Sequence, residues 1–132
     1  MVLDTSAVVS VILSEDDAEQ IKGALSVSEV SVISAPTLLE SRIVLGARIG
    51  ASAKAKLDAF MSAANVGIMD FTEGQSDIAA EAWRRYGRGS GSSAKLNFGD
   101  CFSYALARSL DAPLLFKGDD FAATDVTAAL LP

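Results

Sequence analysis

The chain is predicted to be an α/β protein, a three-layer α/β/α sandwich around a mostly parallel sheet of four to five strands. Short apolar runs alternate with longer stretches of helical periodicity from one end to the other. Polar capping residues separate them at the expected places. Acidic residues directly follow two of the short runs, at the strand ends where parallel sheets build their ligand sites. With 132 residues, the most economical organisation is one domain spanning residues 1–132, able to bury roughly two-thirds of its unfolded surface.

Met1 to Leu3 reads as a buried strand ending at Asp4, and Thr5 or Ser6 as the cap of a helix through Leu13. Asp16 to Leu25 continues as an amphipathic helix with Ala18, Ile21 and Leu25 on one stripe. Val30 to Ile33 is the second strand. Ser34 caps a helix that carries Pro36 in its first turn and runs to about Ile49, where Gly50 ends it. Ser52 to Ala64 is helical, with Ala53, Leu57, Phe60 and Met61 at helical spacing, and Val66 to Phe71 is the third strand. Thr72 opens a helix that turns Ile78, Ala82 and Trp83 to the core and ends near Gly87. Gly89 to Ser93 is a flexible loop too short to link domains. Leu96 to Leu110 forms the next helix, with Phe98, Cys101, Phe102, Ala105 and Leu106 as its buried stripe and Asp100 on the flank. Pro113 to Phe116 leads into the fourth strand, and Phe121 to Pro132 can add an edge strand.

Composition removes many chemistries. There is no histidine and a single cysteine, Cys101, so neither a Ser-His-Asp nor a Cys-His relay is available, and zinc lacks its preferred ligands. One cysteine also excludes an internal disulfide and suits a reducing compartment. Met1 to Leu3 has no basic leader, and the apolar run from Ala7 to Leu13 is too short to span a bilayer. The expectation is a soluble cytoplasmic protein with no membrane role. A net charge of −6 argues against a general coating function on nucleic acid. Two basic segments stand out nonetheless: Arg42, Arg48, Lys54 and Lys56, and then Arg84, Arg85, Arg88 and Lys95. Each can guide phosphates or simply be a solvated helix face.

Carboxylates are the main chemical resource left. Asp4, Glu40, Asp100 and the Asp119-Asp120 pair each sit beside apolar residues at a structural junction. Taken singly, each has an ordinary explanation: a charge at a helix start for Asp4, a boundary position for Glu40, a capping arrangement with Asn97 for Asp100, and a turn for Asp119-Asp120. Jointly they suit one edge of the sheet. Carboxylates about 5 Å apart repel by about 3 kcal/mol at an effective dielectric of about 20. A hard divalent cation, Mg²⁺ or Mn²⁺, is the simplest remedy, which points to a metal-dependent enzyme.

Four segments carry a family resemblance: Val2-Leu3-Asp4-Thr5-Ser6-Ala7, Ala35-Pro36-Thr37-Leu38-Leu39-Glu40, Leu96-Asn97-Phe98-Gly99-Asp100-Cys101, and Leu114 to Phe121. In order and spacing they resemble a PIN domain, and more narrowly the VapC toxins of type II toxin–antitoxin modules, over essentially the whole chain. The resemblance implies a Mg²⁺-dependent ribonuclease with Asp4, Glu40 and Asp100 as its acidic core, and a fourth acid at Asp120 or Asp119. On this view Asp4 and Asp100 hold the metal directly, Mn²⁺ can replace Mg²⁺, and water-driven cleavage leaves 5′-phosphate and 3′-hydroxyl ends. It further implies an RNA substrate, a homodimer and a cognate VapB-type antitoxin. Two alternatives share the fold: a housekeeping PIN-type nuclease without antitoxin, and a non-catalytic interaction module. An aspartyl-phosphate phosphatase is disfavoured because no second aspartate lies two residues after Asp4, and a GxxxxGK[ST] loop is absent.

Overall fold

Each short apolar run becomes a strand of one sheet in the computed structural model, which describes residues 1–130. In chain order the elements are β1 (Val2–Leu3), α1 (Thr5–Ile12), α2 (Ala18–Val27), β2 (Ser31–Ser34), α3 (Ala35–Ile49) and a 3₁₀ turn at Gly50–Ser52. There follow α4 (Ala53–Ala63), β3 (Val66–Met69), α5 (Glu73–Tyr86), α6 (Phe98–Leu110) and β4 (Leu114–Leu115). The strand order is β3-β2-β1-β4, and every pairing is parallel. Val2 lies opposite both Val32 and Leu114, so β1 sits inside the sheet with all its apolar surface covered.

Strand alternation divides the core into two layers. Leu3, Ile33 and Leu115 face Ala7, Val8 and Val9 of α1, Ile21 of α2, Leu38 and Leu45 of α3, and Leu57 of α4. Val2 and Leu114 face the other way, onto Ala82 of α5, Tyr104, Leu106 and Ala107 of α6, and Phe121. Helices therefore cover both faces of the sheet, as predicted.

Several local expectations are corrected. The cap of α1 is Asp4, one residue before Thr5, because its carboxylate accepts the Ser6 N–H at 3.0 Å. Ser34 holds the cap position of α3, but its buried hydroxyl makes no cap bond. Trp83 is 44% exposed rather than in the core, and Phe98 is 76% exposed rather than on the buried stripe of α6. That stripe is fixed instead by Cys101, Tyr104, Ala105 and Leu106. The tail adds only a parallel bridge from Ala128 to Leu114, and the last two residues of the expected edge strand lie outside the described ones. Among the described residues no helix is long and apolar enough to cross a membrane.

Candidate active site

All four strands run the same way, so the segments after them emerge at one edge of the sheet, and the acids lie there. Asp4 ends β1 and is 3% exposed. One oxygen, Oδ2, accepts from Ser6 N at 3.0 Å and Ser6 Oγ at 2.7 Å, while Oδ1 accepts from Ser103 Oγ at 2.6 Å. Ser103 sits on α6 one turn after Asp100, so this bond ties β1 to the helix that carries the second acid. Asp100 closes a capping box. Its backbone N–H donates to Asn97 Oδ1, and its Oδ2 accepts the Asn97 N–H, both at 2.9 Å. The sequence placed Asp100 on the helix flank, whereas it is only 8% exposed. Capping and inward orientation coexist because the first turn of α6 points into the site.

Glu40 arrives from the second turn of α3. Its Oε1 accepts the hydroxyl of Thr5, which also lies 3.4 Å from the Thr37 carbonyl. Thr37 Oγ1 is 3.3 Å from Ser103 Oγ, so Thr5, Thr37 and Ser103 link Glu40 to Asp4 through hydroxyl contacts and the Thr37 backbone. Gly99 touches Glu40 from the other side, and a β-carbon there would overlap the Glu40 carboxylate. The loop after β4 supplies the fourth wall. Lys117 N–H donates to Ser6 Oγ at 3.0 Å, which fixes the loop against α1 just before Asp119 and Asp120. Both aspartates are exposed.

Electrostatics reflect this convergence. Burial pushes the Asp100 carboxyl up to about 7, and the negative charges of Asp4, Asp120 and Glu40 push the same way against the Asn97 hydrogen bond. The neighbouring Cys101 thiol is raised to about 11 by burial and by Asp100, so it behaves as a small core residue. Among the described residues no lysine or arginine lies within ion-pair distance of Asp4, Glu40, Asp100 or Asp120. Nor do three acidic side chains come close enough to enclose an ion unaided. An all-oxygen, cation-free set of this kind fits a hard divalent cation that keeps several waters and needs only one or two carboxylates.

The sequence missed the hydroxyls and Gly99. Ser103 and Thr37 lie three residues from Asp100 and Glu40 and are fully buried, so helical spacing offered a signal for both. Gly99 offered none, since its role depends on a side chain from another helix.

Comparisons with known proteins agree with this fold. Residues 1–126 match the PIN domain family. The chain is 44% identical to Ribonuclease VapC of Mycolicibacterium smegmatis over 128 residues, covering 97% of this chain and 98% of that one. The fold superposes on the crystal structure of VapC20 of Mycobacterium tuberculosis, described as a sarcin-ricin loop cleaving toxin, with a TM-score of 0.76 at 21% identity, covering 99% and 98% of the two chains. It also superposes on VapBC2 of Rickettsia felis, solved bound to a DNA fragment from their promoter, with a TM-score of 0.75 at 19% identity, covering 96% and 95%. The full-length match, together with acids brought to one edge of an all-parallel sheet, makes this chain a member of the PIN-domain family, within its VapC ribonucleases.

Proposed function

We propose that this VapC-family ribonuclease is the toxin of a toxin–antitoxin pair and cuts RNA by metal-assisted hydrolysis. PIN-domain ribonucleases are generally dependent on a divalent metal; here Mg²⁺ is the proposed ion, with Mn²⁺ able to replace it. One observation carries the reading: Asp100 is buried beside the carboxylates of Asp4, Glu40 and Asp120, and among the described residues no cationic side chain offsets them.

Asp4 and Asp100 are the proposed direct ligands. Ser6 and Ser103 orient the two oxygens of Asp4, and the Asn97 N–H orients Asp100. Glu40, held by Thr5, and Asp120 complete the negative wall and position water around it. Asp120 is favoured over Asp119 because its charge acts on Asp100. A bound divalent cation supplies Lewis acidity toward the scissile phosphate and an activated water. Such a cut leaves 5′-phosphate and 3′-hydroxyl ends. With no histidine in the chain, the carboxylates are the groups available to accept the proton of that water.

The partners follow the same reading. A VapB-type antitoxin is the proposed inhibitor, with an arginine entering the acidic pocket in place of the cation. A second copy of the chain is the other proposed partner. Support comes from the apolar wall of Phe71, Ala79, Ala80, Trp83, Phe98 and Phe102, which lines a cavity of about 640 Å³ beside the site.

The test is cleavage of total RNA with Mg²⁺ and with EDTA, with both new ends mapped. Cleavage that persists in EDTA, or cyclic phosphate ends, would reject the mechanism. Added Mg²⁺ should weaken binding of the antitoxin; indifference to Mg²⁺ would reject the arginine-for-metal arrangement.

A further inference from the structure

The second basic segment does not act as a unit. Arg84 is taken up by Glu81, with Nε 3.0 Å from Oε2. Arg85 lies 3.5 Å from Asp125 and stacks on the Tyr86 ring at 4.7 Å. Arg88 and Lys95 differ. Neither makes an ion pair among the described residues, and both line a cleft of about 600 Å³ with Gly89, Gly91, Ser92 and Asp120.

We propose that this cleft binds the sugar-phosphate backbone of a single RNA strand, next to the bond being cut. The proposal rests on the ribonuclease reading above and assigns its substrate a second point of attachment.

Three features of the loop support it. Its base is closed, because Arg88 N–H donates to the Leu96 carbonyl at 3.0 Å and Leu96 N–H to the Tyr86 carbonyl at 2.8 Å. Its far arm is anchored by the buried side chains of Ala94 and Leu96. Lys95 lies between those anchors with a left-handed backbone (φ 56°), a conformation held by its surroundings despite its local cost. Two cations are thus presented from a framed loop instead of a free linker. The position is equally specific. Asp120 lines the cleft and lies near enough to Asp100 for its charge to be felt there, so the cleft adjoins the acid site. A strand held by Arg88 and Lys95 would pass Asp120 on its way to the carboxylates. On a chain of net charge −6, two free cations at this place do what overall charge cannot.

The experiment measures anisotropy of a short, fluorescent, mixed-sequence single-stranded RNA in EDTA, so that binding is read without cleavage. Arg88→Gln and Lys95→Gln should each weaken binding about 5-fold near 0.1 M salt. The double variant should flatten the log K against log salt slope by about 1.4. In Mg²⁺ the variants should raise KM with kcat little changed, and their thermal melts should match the wild type. Arg84→Gln and Arg48→Gln, which remove the same charge elsewhere, serve as controls. Wild-type binding by both cleft variants overturns the proposal, as does an equal loss in the controls. So does a loss of affinity confined to an acidic protein partner, with RNA unaffected. If the wild type cuts RNA and the cleft variants behave like it, the cleft fails and the ribonuclease reading stands. If binding depends on Arg88 and Lys95 but no RNA is cut, the cleft stands and that reading fails. A wild type that neither binds nor cuts removes both.

Discussion

Asp100, in the first turn of α6, and Asp125, packed against that helix from the segment after β4, are treated by the protein in opposite ways. Asp125 is surrounded by positive and hydrogen-donating groups: the Tyr104 hydroxyl at 2.5 Å, Arg85 at 3.5 Å and Arg108 at 3.9 Å. Burial works against its charge, but the tyrosine and the two arginines hold its carboxyl below the usual range. Asp100 is buried and meets three further acids, and burial first and those charges second push its carboxyl up. So α6 carries an unneutralised acid in its first turn, while its own Tyr104 and Arg108 help to neutralise an acid of the segment after β4. Arginine was available to this fold for balancing a carboxylate. Among the described residues none stands at Asp100, which leaves a negative field that suits an exchangeable cation better than a fixed side chain.

The largest expected effect comes from removing charge at the unneutralised end. Asp4→Asn should lower RNA cleavage by on the order of 10²–10³-fold, while leaving stability within about 1 kcal/mol. Full activity in that variant, read by gel with a labelled RNA, would end the contrast between the two acids. Gly99→Ala should come next. The added methyl displaces a flexible carboxylate end and not the backbone, so activity should fall about 10- to 100-fold with little change in melting temperature. Shortening the acid in the same chain, with Glu40→Asp, should return part of the loss by making room for the methyl.

Two smaller effects sharpen the comparison through pH. Asp100 binds its proton more tightly in the folded chain than in the unfolded one, where aspartate titrates near about 4. Stability without metal should therefore be full below that range and decline as pH rises toward about 7. After allowance for partial solvent screening, about 1–2 kcal/mol is expected in melts run with EDTA. Asp100→Asn or added Mg²⁺ should remove that decline. Asp125 has the opposite sign: its contribution is present above the unfolded value and is lost in acid. Asp125→Asn keeps an acceptor for Tyr104 and should cost about 1 kcal/mol near neutral pH, with cleavage unchanged because Asp125 lies away from the carboxylate cluster.

Much of this arrangement could be read from the chain. Strand ends and helix starts were marked by short apolar runs and capping residues, and these local signals survive folding. A parallel sheet places Asp4 and the Asp119-Asp120 pair at one edge; Glu40 and Asp100 join them only through their junction positions and the family resemblance. What escaped depended on surfaces meeting. Trp83 and Phe98 fit a buried stripe by spacing, yet both line an open apolar wall because no element packs over them among the described residues. Asp100 looked like a flank residue because helical phase says nothing about which neighbouring strand stands opposite. The engagement of Arg84 and Arg85, as against Arg88 and Lys95, was hidden for the same reason.

Cys101 has a practical consequence. It is the lone sulfhydryl of the chain, shielded and reluctant to ionise, so alkylating dyes should leave the native protein unlabelled under mild conditions. A cysteine introduced at exposed Ala122, on the segment that carries Asp120, would then accept a fluorophore at one known position. Emission from that dye would follow cation loading and antitoxin arrival in real time, without a second substitution to silence background.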